Sequence, residues 1–163
     1  MLAEEWLERS QPGYRELANG ERSAVAGFSI IWSVFEAAAL SGNGSVRSIS
    51  QFIDKKRELL IDFVPFQPSL DYFQDRYVAK GATNYRFEGL NFRGNDNRAL
   101  VEAVLLGEND DPSEKVKALL IIVFRLRNNL FHGLKWAYEM RDQQANFEYG
   151  IIVMTGVLDC CRR

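Results

Sequence analysis

The hexapeptide RNNLFH at residues 127–132 holds most of the chemistry this chain offers. His132 is the chain's one histidine, and an imidazole with a reference pKa of about 6.5 can take up or release a proton near neutral pH. Arg127 stays charged across that range. Its planar guanidinium donates paired hydrogen bonds to an oxyanion such as a phosphate. Asn128 adds a neutral donor and acceptor one turn before His132, and Arg125 and Asn129 crowd the same two turns. A proton carrier beside an anion clamp is the equipment for acid–base work at a charged centre.

Helical spacing sharpens the pattern. Steps of three and four residues from Val116 trace Leu120, Val123, Arg127, Leu130, Leu134 and Ala137 along one face. A second line runs Ile121, Arg125, Asn128 and His132, then Lys135 or Trp136, and Glu139. Arg127 therefore interrupts an apolar stripe, where a charge is costly unless it is paired or opens on a site. An ion pair is one reading. The clustering of Arg125, Asn128, Asn129 and His132 favours the other. Upstream, Glu36 is the one ionisable side chain between Ser23 and Val46, in IIWSVFEAAAL. A carboxylate so placed calls for a cation, and Arg127, Arg125 and His132 are the candidates. Glu36 then either fixes helix register or supports the site.

The elements that must position these residues are helical. Amphipathic or apolar periodicity predicts helices over about 2–10, 21–40, 46–62, 69–79, 96–106, 112–141 and 144–161. QPG at 11–13, SGNGS at 41–45, Pro65 with Pro68, and GENDDPSE at 107–114 separate them. Pro112 suits a helical first turn. Residues 80–95 carry the Gly and Asn of a loop, with NYRFEGLNF as a candidate hairpin. The expectation is an all-α chain: one domain over 1–163, an antiparallel bundle of four to five main helices with an irregular insert at about 64–111.

The 163 residues are 47% hydrophobic and 26% charged, which suits one packed core. A net charge of −2 supplies no global field for nucleic acid, so any such site is a local basic patch. The adjacent Cys160 and Cys161 lack metal-ligand spacing and point to a reduced, cytoplasmic setting. MLAEEWLERS is acidic and amphipathic, unlike a signal peptide. The apolar run from Ala24 to Leu40 is short for a membrane span and contains Ser29, Ser33 and Glu36, so it reads as a core helix and no membrane is expected.

The string RNNLFH, within RLRNNLFHGLK on a long helix, resembles the motif of the HEPN superfamily: an Arg, commonly a polar residue such as Asn after it, then a His after four to six intervening residues. WSVFE at 32–36 is similar to an earlier helix of that family, which often carries a polar or acidic residue facing the site. The resemblance covers about 21–40 and 112–140 and implies a stand-alone prokaryotic member of the plasmid or mobile-element kind. It implies a helical bundle that forms a homodimer with the motif helices face to face. It further implies a metal-independent, cofactor-free endoribonuclease of a toxin–antitoxin or phage-defence system, with RNA as substrate and an antitoxin protein as a candidate partner. By that resemblance Arg127 and His132 are the catalytic pair, Asn128 their polar companion and Glu36 a third member, with Arg125 and Lys135 as RNA contacts. Arg125 also stands at an allowed distance from His132, which leaves the choice of arginine open. A Tyr two or three residues after the His, present in one toxin branch, is replaced by Leu134 and Lys135, with Tyr138 the nearest. Non-catalytic members that bind RNA, nucleotide or a protein form the alternative.

In the insert, Tyr72, Tyr77, Tyr85, Phe87 and Phe92 interleave with Arg76, Lys80, Arg86, Arg93 and Arg98. Such a pattern either stacks bases and binds phosphates, or pins an irregular segment to the bundle while the cations face solvent.

Overall fold

The computed structural model describes residues 3–132 and 142–162. The chain is mostly α-helical, as expected. Its helices are α1 (Ala3–Ser10), α2 (Pro12–Arg15), α3 (Asn19–Ala39), α4 (Val46–Lys55), α5 (Gln67–Tyr77), α6 (Tyr85–Glu88), α7 (Arg98–Leu105), α8 (Pro112–Phe131) and α9 (Gln144–Cys161). Two 3₁₀ turns, Arg57–Leu60 and Val64–Phe66, lie between α4 and α5, where one helix to residue 62 was expected.

Local chemistry sets several boundaries. Ser45 caps α4: its hydroxyl accepts from the Ser48 N–H while the Ser48 hydroxyl accepts from the Ser45 N–H. Asp111 caps α8 by accepting from the Glu114 N–H at 3.0 Å, with Pro112 next in line. The one hairpin among the described residues, Val78–Ala79 against Ala82–Thr83, lies upstream of NYRFEGLNF. Its turn takes left-handed φ at Lys80 (54°) and Gly81 (78°), as a tight two-residue turn demands. The Asn84 carboxamide accepts from the N–H groups of Arg86 and Phe87, which winds residues 85–88 into a helical turn instead of a strand.

The core is organised around α8. Every residue from Val116 to Leu126 is buried, so this helix has no solvent face over three turns. A helix that is apolar all round belongs in the middle of a fold. It packs against α4, α7 and α9, and α9 lies along α3. Gly150 permits that last approach, since a Cβ there would come within 2.9 Å of the Phe28 ring. Phe28, Trp32 and Phe35 turn the apolar run of α3 inward. No helix among the described residues is long and apolar enough to cross a membrane.

The segment at 64–111 is less irregular than expected, since α5 and α7 account for much of it. Its Phe66, Leu70, Phe73, Tyr77, Phe87, Leu90, Val101 and Val104 belong to the same buried cluster as the residues of α3, α8 and α9.

Candidate functional site

The last two turns of α8 separate the two arginines that the sequence leaves in competition. Arg125 is buried. Its Nε donates to the Leu90 carbonyl at 3.0 Å, and Nη1 lies 2.9 Å from the Asp96 carboxylate. The Nη1 proton is not aligned on that oxygen, so the contact is an ion pair more than a hydrogen bond. Asp96 is itself buried and accepts from the Arg93 N–H at 2.7 Å. Burial lowers the Arg125 pKa from its ordinary value, and Asp96 opposes the change. Every strong contact of Arg125 thus ties the 89–96 loop to α8. Asn129 does the same work, donating from Nδ2 to the Gly89 carbonyl at 3.0 Å.

Arg127 is differently placed. It is half-buried, and its guanidinium carbon lies over the Trp32 ring, 5.6 Å from the centroid, and over the Phe131 ring at 5.0 Å. Nη1 donates to the Asn128 side-chain oxygen at 3.0 Å. Nε is closed off from solvent without a hydrogen-bond partner, and no carboxylate among the described residues pairs with this guanidinium. Among the described residues the cation is therefore held by aromatic faces and a neutral amide, which attract it without neutralising it. Asn128, at 7% exposure, is the neutral companion that the sequence places there.

Glu36 does not meet the expected cation. Its Oε2 accepts from the Trp32 indole Nε1 at 3.3 Å, and its Oε1 accepts from the Gly44 N–H at 2.9 Å. Trp32 is thus the intermediary: its ring carries Arg127 on a face and its N–H is bound to Glu36. Gly44 is required where it stands. A Cβ would overlap the Glu36 carboxylate and come within 3.0 Å of the Trp32 ring.

His132 is the C-cap residue of α8 and is exposed, with its backbone N–H donating to the Asn128 carbonyl at 2.9 Å. Phe131, beside it, is 56% exposed. Lys135 and Tyr138 lie outside the described residues, as do Leu134 and Ala137 of the apolar stripe.

The insert aromatics divide. Phe73, Tyr77, Phe87 and Phe92 form a chain of ring contacts with centroids 5.0 to 6.3 Å apart. Burial pushes the Tyr77 hydroxyl pKa well up. Tyr72 stacks on Tyr149 at 4.3 Å and donates to Asn146. These rings pin the insert to the bundle. Tyr85 alone of the five stays exposed, at 78%. Arg98 pairs with Glu88, and Arg76 with Asp142.

Two site residues carry more than the sequence assigned them, Trp32 and Phe131. Both had a usable signal. Trp32 stands four residues before Glu36 and Phe131 four residues after Arg127, and side chains at that spacing meet on a helix surface.

Compared with family models, curated proteins and solved structures, the chain matches none of them. The functional reading therefore rests on the site and on the resemblance carried by RNNLFH.

Proposed function

We propose that this chain is a metal-independent endoribonuclease of the HEPN kind, acting as a homodimer and serving as a toxin or defence effector, with an antitoxin protein as partner. The observation that carries the reading is the Arg127 guanidinium, paired with no carboxylate among the described residues, five positions before an exposed His132. A fixed cation with spare N–H groups is suited to a phosphate, and an exposed imidazole at the end of the same helix to proton transfer.

The chemistry uses the RNA's own nucleophile. A His132 imidazole takes the 2′-hydroxyl proton as the 2′-oxygen bonds to phosphorus. The bond from phosphorus to the 5′-oxygen then breaks, and a second imidazole, as its cation, returns a proton to that leaving oxygen. The products are a 2′,3′-cyclic phosphate and a 5′-hydroxyl. Arg127 stabilises the charge that builds on the phosphorane oxygens. One chain supplies one histidine, so both proton transfers call for a second copy. Ile30 and Val34, one turn apart on α3 and 64% and 43% exposed, offer apolar surface for that pairing. Asn128 orients Arg127. Glu36 acts at one remove, through Trp32.

The test is cleavage of RNA by the purified protein in EDTA, beside its His132→Ala variant. The variant is expected to fold and dimerise and to have lost cleavage. Undiminished cleavage by the variant overturns the assignment. A wild-type protein that binds RNA without cutting it is instead a non-catalytic binding module.

A further inference from the structure

Phe131 is a large apolar ring left 56% exposed on a helix whose preceding turns are almost wholly buried. Burying such a ring is worth about 1.5–3 kcal/mol, so leaving it in water forgoes stability. Its position gives it a use. The Arg127 guanidinium lies over the ring, 5.0 Å from its centroid. A guanidinium has five N–H donors, and the one Arg127 hydrogen bond formed among the described residues goes to Asn128. An exposed aromatic ring and a cation with no carboxylate partner among the described residues thus stand side by side, within the span of one nucleotide. A ligand that satisfies both must carry a flat π-surface and an anion together. A nucleotide of an unpaired strand does so. A base locked in a duplex cannot, because its faces are already stacked on its neighbours.

We propose that Phe131 stacks an unpaired base of the RNA while Arg127 holds the adjoining phosphate, which makes Phe131 a binding residue of this site. The inference rests on the ribonuclease reading for its location at a cleavage centre, and on the geometry of Phe131 and Arg127 for its choice of strand. Phe131 is a binding residue here and plays no part in proton transfer. Aromatic stacking tolerates any base, so Phe131 selects unpaired nucleotides without selecting their sequence.

The test measures binding in the full-length His132→Ala background, where the strand stays intact. The probes are a fluorescently labelled oligoribonucleotide of mixed sequence, the same strand made abasic, and its perfect duplex. Adding Phe131→Ala should weaken single-strand binding by about 5- to 150-fold, the range that one lost stacking contact gives. Phe131→Trp should restore it. Affinity for the duplex and for the abasic strand should change by less than about twofold, since neither offers a free base and the losses are shared. Equal losses on all three probes overturn the proposal. So does a Phe131→Ala protein that sediments as a monomer where its parent is a dimer, because Phe131 is then a contact between copies. A parent protein that binds single strands through Phe131 but does not cut them, with His132 restored, leaves this inference standing and removes the ribonuclease reading alone.

Discussion

The Arg127 guanidinium lies over the Trp32 ring at 5.6 Å, and the N–H of that same ring donates to Glu36 at 3.3 Å. The acidic residue and the basic residue are therefore joined through an indole and not to one another. A direct Glu–Arg bridge would neutralise the cation. The indole in between steers it without taking up its charge.

Gly44 is the point at which this relay can be broken without touching Arg127. In Gly44→Ala the added methyl displaces the Glu36 carboxylate and crowds Trp32. The expected cost is about 1–3 kcal/mol in a urea titration, as for an overpacked site. The near-ultraviolet tryptophan signal should change with it. A variant with parental stability and an unaltered spectrum would show that Gly44 does not hold the relay in place.

The two arginines should fail in different ways. Removing Arg125 leaves Asp96 buried and unpaired, and the expected loss of stability is about 3–5 kcal/mol. Arg127→Ala forfeits contacts with two rings, a loss of about 0.5–2 kcal/mol. Its larger effect should fall on RNA cleavage, with the fold intact. Chemical denaturation beside a cleavage assay separates them. If Arg127→Ala proves the more damaging to the fold, the roles assigned here are exchanged.

Acid should act through the cap of α8. The Ser113 hydroxyl, the Glu114 N–H and then Arg57 hold the Asp111 carboxyl down to about 2. The unfolded value is about 3.9. A group with a depressed folded pKa stabilises the fold above its unfolded value and ceases to do so as pH falls through the folded one. Asp111 thus contributes fully above about pH 4 and progressively less towards pH 2. Asp111→Asn keeps an acceptor for the Glu114 N–H but does not titrate. Its urea midpoint should fall less than the parent's between pH 5 and pH 2, and parallel curves would exclude Asp111 as the source.

The helices that carry the candidate site were legible because their signals are local. Pro112 after Asp111, the apolar run from Val116 and the SGNGS break each act over a few residues. Helix α3 came out at Asn19–Ala39 against an expected 21–40. What escaped depended on partners distant in sequence. Glu36 called for a cation, and nothing local revealed that the Gly44 N–H would arrive to donate to its carboxylate. Arg125 and Arg127 look alike in the sequence, and only the approach of Leu90 and Asp96 tells them apart. The hairpin was missed because Lys80–Gly81 is a weaker turn signal than Asn-Gly, while Asn84 spends its side chain on a helical turn.

The burial of α8 on every side carries a liability once the chain unfolds. Residues 118–124, ALLIIVF, are seven consecutive apolar side chains without a proline or a charge. Released from the fold, such a segment is a template for self-association into β-structure. Lys117 and Arg125 stand at its two ends. In the folded state Lys117 is tied to Asp54 and Glu114, and Arg125 to Asp96. In the nascent or heated chain the same two charges become gatekeepers that oppose stacking of one copy on the next. Replacing either with an apolar residue would therefore trade solubility of the unfolded chain for any gain in packing.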